Sequence, residues 1–284
     1  MIQELEEKYD VGEEVDLDEI DQFEVEELRK IYKLAKKEIE KAKRGASNLM
    51  FDVEGMKEKM CQSISPFLLS LNEHGSPLSS RCNEDIFTKK FVTPLLLPFL
   101  RESKYLKQFG NDDESDGSKE RRGTYGRKSD GGLKIVYKEH KQQILHMEIK
   151  SPSVVSEDQA HHPDFTKLGN LMKDEVDLML KRHFPEDTPV FGILVGGHHA
   201  NVFVMDLVYT KVYRLFEIGS FFFPRNAQDL NRLDDMFDTM TKLNVLISKS
   251  AEKCLKVFKM KSSPGSPPRR RQLYVKSFTS PKKK

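Results

Sequence analysis

Residues 129–150 have the sequence SDGGLKIVYKEHKQQILHMEIK, which predicts a β-hairpin. Leu133–Tyr137 is rich in β-forming residues, and Gln142–Lys150 alternates between two sets of side chains, as expected of a strand with two different faces. Between these runs, Lys138-Glu139-His140 is a polar segment that suits a turn with Glu139 at its tip. The segment therefore predicts two antiparallel strands of a sheet.

The position of the turn fixes which residues of the hairpin lie opposite each other. With Glu139 at the tip, Leu133 faces Leu145 and Asp130 faces Glu148. The same register divides the side chains into an apolar face (Leu133, Ile135, Leu145, Met147 and Ile149) and a polar face (Asp130, His146, Glu148 and Lys150). This agreement between register and patterning supports the hairpin and brings two carboxylates to its open end.

Asp130 and Glu148 would have side chains about 5 Å apart in this register. Two carboxylates at that separation repel each other unless one is protonated or a cation lies between them. Mg²⁺ prefers such oxygen ligands, and Lys150 lies on the same side to position or activate a water. Because Glu-x-Lys recurs elsewhere in the chain, a polar strand end with an incidental salt bridge is the alternative interpretation.

The composition indicates that part of the chain lies outside a packed core. The 284 residues are 37% hydrophobic and 32% charged, and the net charge of +2 conceals an acidic start and a basic end. We expect an acidic, partly disordered helical arm over residues 1–47, a domain over 48–260 and a basic disordered tail over 261–284. Such a tail lies near nucleic acid, serves as a nuclear address or stays solvated, so a nuclear location is favoured over a cytoplasmic one.

Several classes of protein are excluded by the sequence pattern. Cys61, Cys82 and Cys254 have neither disulfide nor zinc spacing, which favours a reducing intracellular setting. The acidic start is unlike a secretory signal, and no apolar run approaches the ~18 residues that cross a bilayer. We therefore expect no membrane partner.

The residues after the hairpin predict a crossover and further strands. Asp164–Arg182 has a helical apolar face, and a helix followed by a buried strand suits a return to the same sheet. The remaining predicted elements are three strands and a long helix (Val190–Val195, Asn201–Leu207, Lys211–Ile218 and Asp229–Phe258). Residues 110–127 are predicted to be a loop.

Some individual residues allow two interpretations. Glu84 lies in the first turn of a predicted helix, where a carboxylate suits the helix dipole. Lys167 and Lys173 are expected on a solvated helix face, with a phosphate contact as the alternative. Phe221-Phe222-Phe223 is expected to cover the core, with a base-stacking surface as the alternative. His161-His162 and His198-His199 lack the spacing of a zinc site.

The motif Asp130-Gly131-Gly132 followed by Glu148-Ile149-Lys150 resembles the PD-(D/E)XK nuclease superfamily, and within it uncharacterised fungal members. The similarity extends over three further segments, namely residues 83–96, 164–174 and 204–214, and in all covers roughly Ser79 to Asp235. Ser129 stands where the superfamily usually has proline, a common variation that leaves the ligands intact.

The resemblance implies a restriction endonuclease-like core of order αβββαβ with a mixed sheet. It further implies that Asp130 and Glu148 hold Mg²⁺ or Mn²⁺, that Lys150 assists the nucleophile and that Glu84 completes the metal shell. The implied activity is hydrolysis of nucleic-acid phosphodiesters, with DNA as the expected partner and a homodimer as the expected assembly by analogy. Because many members have lost activity, the alternative is an inactive protein of the same fold that binds nucleic acid or acts as an interaction adaptor.

Overall fold

The computed structural model describes residues 7–9, 26, 28–49, 56–72, 83–100, 103–154, 164–209 and 211–261. Over these residues the chain is an α/β protein with a six-stranded, mixed, open sheet. The strands follow one another across the sheet in chain order: β1 (Leu106–Gly110), β2 (Gly131–Tyr137), β3 (His140–Lys150), β4 (Val190–Gly196), β5 (His199–Tyr209) and β6 (Val212–Phe222). Only β3 and β4 are parallel neighbours in this sheet.

Helices precede, interrupt and follow the strands. They are α1 (Ile39–Leu49), α2 (Met56–Ser70), α3 (Glu84–Phe87), α4 (Thr93–Leu96), α5 (Asp116–Arg122), α6 (Phe165–Lys181) and α7 (Leu233–Lys261), and residues 28–35 are also helical. A π-helical turn at Thr88–Val92 joins α3 to α4, and a 3₁₀ helix at Ala227–Arg232 leads into α7. None of the helices in the described part of the chain has the length and apolarity to cross a membrane.

The two faces of the sheet are covered by different helices. Helix α6 connects the parallel strands β3 and β4 and lies on one face, where a Cβ added to Gly192 would lie 2.6 Å from Met172 Sδ. Helix α7 covers the other face, where a Cβ on Gly219 would lie 2.7 Å from Thr239 Cγ2. The crossover that the sequence predicts is therefore present, and it makes a three-layer α/β/α arrangement.

The predicted hairpin is confirmed, but its turn differs from the expectation. Leu133 pairs with Leu145 as predicted, whereas at the other end Tyr137 pairs with His140. The turn thus contains only Lys138 and Glu139, and a bulge between Leu133 and Lys134 restores the predicted register near the open end. Lys138 has a positive φ of 53°, which this tight turn requires.

The expected loop at residues 110–127 is wrong. Helix α5 lies there, bounded by the Ser115 side chain, which accepts a hydrogen bond from the Ser118 amide, and by Gly123 in the left-handed conformation. A Cβ on Gly117 would lie 2.3 Å from the backbone oxygen of Asp174, so the two helices approach closely only because this residue is glycine. Docking on α6 stabilises a charged segment that its composition alone assigns to a loop.

The helical residues before the domain pack onto it with their apolar side. Leu28, Ile31 and Ala35 are buried in the same core cluster as the sheet, and the Tyr32 hydroxyl lies 3.2 Å from Asp234 Oδ1 at the start of α7. The basic tail over residues 262–284, most of the acidic arm, Cys82 and His161-His162 lie outside the described residues.

Candidate functional site

Asp130 lies immediately before β2, at the end of the hairpin where β3 also ends. Its amide donates a hydrogen bond to Met147 O at 2.9 Å, and its carboxylate accepts one from the Ile149 amide at 2.6 Å. Asp130 therefore lies just outside β2, and its side chain is held in place by a hydrogen bond from the backbone of β3. Burial raises the pKa of Asp130, although the Ile149 amide and the ammonium groups of Lys167 and Lys150 oppose the shift.

Glu148 is on β3, beneath helix α6, and it is 0% exposed. Its Oε2 accepts a hydrogen bond from Lys167 Nζ at 2.6 Å, whereas Oε1 has no hydrogen-bond partner among the described residues. Burial raises the pKa of Glu148 to about 8, the hydrogen bond from Lys167 opposes this, and the charges of Asp130 and Asp164 add to it. Asp130 therefore lies close enough to Glu148 for its charge to disfavour ionisation of that carboxyl group.

Lys150 ends β3 and lies between two further carboxylates. Its Nζ is 3.1 and 3.2 Å from the two carboxylate oxygens of Glu84 and 3.3 Å from Asp164 Oδ2. Burial alone would lower the pKa of Lys150, but the hydrogen bond to Glu84 and the charge of Asp164 raise it above its ordinary value. The amine is consequently held in its charged form, as a donor and not as a base.

Glu84 reaches the site from the first turn of α3. Asn83 caps that turn by accepting a hydrogen bond from the Ile86 amide at 2.9 Å. Glu84 thus lies beside the end of β3, and both of its carboxylate oxygens contact Lys150 Nζ. Over the described part of the chain, no three His, Cys, Asp or Glu side chains form a group that could hold a metal ion.

The charges at this end of the sheet do not balance. The cluster contains four carboxylates and two ammonium groups (Glu84, Asp130, Glu148, Asp164, Lys150 and Lys167). With every group ionised, four negative and two positive charges leave a net of −2. Glu148 Oε1 has no hydrogen-bond partner among the described residues, and the pKa values of Asp130 and Glu148 are raised. Both features fit a site whose excess negative charge a divalent cation would neutralise. Asp130 and Glu148 suit that cation, whereas Glu84 serves Lys150.

Lys167 and Asp164 are the site residues that sequence analysis missed. Lys167 was expected on a solvated helix face, but its Nζ contacts the buried Glu148 at 2.6 Å. Asp164 immediately precedes α6, and its carboxylate contacts Lys150. The crossover provides the signal that could have found them, because a helix that returns to a parallel strand begins near the end of the preceding strand.

A second polar cluster lies deeper and resembles a serine–histidine–acid arrangement. Ser129 Oγ is 3.1 Å from His146 Nδ1, and His146 Nε2 is 3.9 Å from Glu175 Oε1. All three side chains are buried, and Glu175 Oε1 accepts hydrogen bonds from Ser115 Oγ and the Gly117 amide, each at 2.8 Å. Since no substrate can reach Ser129, this cluster serves to hold α5 against α6 and the hairpin.

No protein-family model, curated protein or solved structure matches this chain. The function of the site is therefore inferred from its own residues. Its distinguishing features are the proximity of Asp130 and Glu148, a buried carboxylate oxygen that has no hydrogen-bond partner among the described residues, and two partly exposed lysines. Lys150 is 22% exposed and Lys167 is 32% exposed.

Proposed function

We propose that this protein hydrolyses phosphodiester bonds of nucleic acid with a divalent metal ion, Mg²⁺ or Mn²⁺, held by Asp130 and Glu148. The observation that supports it best is the buried Glu148 Oε1, which lies near a second carboxylate and has no hydrogen-bond partner in the described part of the chain. An anionic pair of this kind is costly to bury unless a cation joins it. A phosphodiester is the substrate class for which a hard cation and adjacent lysines are jointly suited.

In this proposal the metal ion, Lys150 and Lys167 have different roles. When bound, the metal ion supplies Lewis-acid activation of water and of the phosphate. Lys150, held in its charged form by Glu84 and Asp164, donates hydrogen bonds to the attacked phosphate and orients the nucleophile. Lys167 offsets the charge of Glu148, to which its Nζ lies at 2.6 Å, and would be available to a phosphate oxygen if Glu148 held a cation instead.

We also propose that the core is of the restriction endonuclease type. Its support is the order of the elements: α3, the antiparallel strands β1, β2 and β3, the crossover helix α6 and the parallel strand β4. Apart from α5, which is inserted between β1 and β2, this order is similar to the expected αβββαβ order. Strands β5 and β6 extend the sheet beyond that core.

A second candidate function is nucleic-acid binding or an adaptor role without catalysis. It is favoured by the ion pairs of Glu148 with Lys167 and of Glu84 with Lys150, which partly satisfy the site without a metal. In this case the lysines would bind phosphate and the carboxylates would only position the lysines.

Cleavage of plasmid, single-stranded DNA and RNA by the full chain, in Mg²⁺ or Mn²⁺ and in EDTA, separates the two functions. Metal-dependent cleavage that is lost in Asp130→Ala and Lys150→Ala would support the nuclease. Glu139→Ala is the matched control, because Glu139 is an exposed acid at the opposite end of the same hairpin. A folded chain that neither cleaves nor binds Mg²⁺ by calorimetry contradicts the nuclease and leaves the binding function.

A further inference from the structure

The three consecutive phenylalanines at the end of β6 do not share one role. Phe221 and Phe223 are each 1% exposed and belong to the core, as the sequence predicts. Phe222 is 47% exposed. Because side chains alternate between the two faces of a strand, Phe222 points to solvent while its two neighbours point into the core. Its ring is therefore available to a ligand.

The Phe222 ring is contacted by two other side chains, those of His199 and Arg232. The His199 ring lies 4.3 Å from it, centroid to centroid, with an interplanar angle of 26°, and Arg232 Cζ lies 5.1 Å from its centroid. Burial lowers the pKa of His199, so the imidazole is neutral at neutral pH. No carboxylate of the described residues forms an ion pair with Arg232. The charge of Arg232 acts on the nearby Asp229 carboxylate and helps to lower the pKa of that group, but the two do not form a described ion pair. The stack therefore combines aromatic rings with a guanidinium group.

The stack lies in the same row of the sheet as Lys150. Across neighbouring strands Lys150 pairs with Gly196, Gly196 with His199 and His199 with Phe222. The Gly197 amide also donates a hydrogen bond to Lys150 O at 2.9 Å. Paired residues direct their side chains to the same face, and three inter-strand spacings of ~4.8 Å place the stack roughly 14 Å from Lys150.

Another exposed aromatic side chain lies on this face. Phe165 follows Asp164 at the start of α6, is 42% exposed and packs on the Phe203 ring of β5 at 5.5 Å. Phe203 is on the same side of β5 as His199, because the two residues are separated by an even number of positions. Phe165 and Phe222 thus occur on one surface that begins at the carboxylate cluster and continues to the edge of the sheet.

We propose that the stack of His199, Phe222 and Arg232 binds an unpaired nucleobase of the strand whose phosphodiester occupies the carboxylate site. The placement of that phosphodiester rests on the function proposed above. Aromatic rings and guanidinium planes stack on any base, and the positive charge of the arginine adds attraction for the backbone. In a duplex the base faces are already stacked on their neighbours, so the substrate class is single-stranded nucleic acid or a strand with unpaired bases.

A protein partner is the competing occupant of this edge of the sheet. Strand β6 is an edge strand, and it also exposes Val212 and Leu215. The observations favour a base because the stack lies in the row of Lys150 and ends in a cation. The apolar exposed residues of β6 lie farther along the strand.

Binding of fluorescent oligonucleotides to the full chain in EDTA tests the inference without requiring cleavage. Wild-type protein should bind a single strand more tightly than the same sequence as a duplex, and should quench 2-aminopurine placed within the single strand. Phe222→Ala should weaken single-strand binding about fivefold or more and abolish the quenching. Phe222→Tyr keeps the ring and should retain both properties.

Tyr209→Ala is the matched control variant. Tyr209 is 43% exposed, lies beneath Arg214 at 5.2 Å and is at the opposite end of the same pair of strands. The Tyr209→Ala variant should leave binding and quenching unchanged, and the basic tail is present in every variant.

Unchanged binding in Phe222→Ala overturns the inference. So does a Phe222→Ala variant that still binds the oligonucleotide but no longer self-associates in sedimentation experiments, because Phe222 would then serve a protein contact. Base binding without cleavage would keep this inference and remove the nuclease. Metal-dependent cleavage by a Phe222→Ala variant that binds the single strand as tightly as the wild type would do the reverse.

Discussion

At the scale of single residues, the site depends on carboxylates that the fold has withdrawn from water. Glu148 is 0% exposed, and its one described hydrogen-bond donor is Lys167, which comes from a different element. A buried carboxylate without such a donor either takes up a proton or destabilises the fold. Lys167 therefore contributes to stability as well as to the charge of the site.

Lys167→Met should lower the free energy of unfolding by about 1–3 kcal/mol, because it leaves the buried Glu148 without its donor. Urea denaturation at pH 7 measures this difference. The double variant Lys167→Met/Glu148→Gln should recover part of the loss. Lys89→Met, which breaks an ion pair with side chains 72% and 66% exposed, is the control and should have almost no effect. Equal losses in the two lysine variants would contradict the role of Lys167.

At the scale of secondary-structure elements, α5 depends on its neighbours more than on its own composition. This short helix is held by its cap, by the close approach of Gly117 to α6 and by the buried Glu175 carboxylate. Glu175 also accepts a hydrogen bond from Gln142 Nε2 at 2.8 Å, so it links α5, α6 and β3. A change at any of these contacts should affect the stability of all three elements.

Gly117→Ala should destabilise the protein by about 1–3 kcal/mol, because the added methyl would lie 2.3 Å from the backbone oxygen of Asp174. The thermal midpoint of unfolding reports the change. Gly110→Ala provides the comparison, because a Cβ there would have no atom within 4 Å. If both variants unfold at the same temperature, the close packing of α5 on α6 is wrong.

The Glu175 carboxylate should make stability depend on pH. Burial raises its pKa from the ordinary 4.5 to about 7, against the hydrogen bonds from the Gly117 amide and Ser115. The raised pKa favours the neutral form in the folded state, so this contribution is complete below pH ~4.5 and is lost as pH rises through about 7. Wild type should lose up to about 3 kcal/mol relative to Glu175→Gln across this window. Parallel pH profiles of the two proteins would contradict the assignment.

At the scale of the whole molecule, the sheet brings together residues that are distant in the chain. One end of the central strands is the place where the first turn of α3, the open end of the hairpin and the start of the crossover helix meet. This arrangement brings together four residues, Glu84, Asp130, Lys150 and Asp164. The net of −2 there is a property of the assembled fold, since no one segment carries it. A divalent cation that binds only the folded state should therefore stabilise the whole molecule.

Addition of millimolar Mg²⁺ should raise the thermal midpoint of the wild-type chain, and EDTA should reverse the change. Asp130→Asn should abolish the response, because it removes one of the two proposed ligands and keeps the shape of the side chain. Asp113→Asn, at an acid that pairs with Lys134 outside the cluster, should respond as the wild type does. An equal Mg²⁺ response in Asp130→Asn would place the metal elsewhere.

Much of the central architecture was predictable from sequence, because its signals are local. The hairpin, the crossover helix, the three following strands and the long last helix all lie close to their predicted positions. Strand β1 and helix α5 were missed, since a short charged segment carries no periodicity of its own. The turn was misplaced by one residue, and the bulge that compensates for it has no sequence signature here.

For the site, local sequence was sufficient to bring Asp130 and Glu148 to one end of a hairpin, because strand alternation and register depend on neighbouring residues. It was not sufficient to show that Glu148 is sealed under α6, that Lys167 donates to it or that Glu84 is engaged by Lys150. Those contacts join residues at least 19 positions apart. Long-range packing alone determines them, and it also determines which of three adjacent phenylalanines faces solvent.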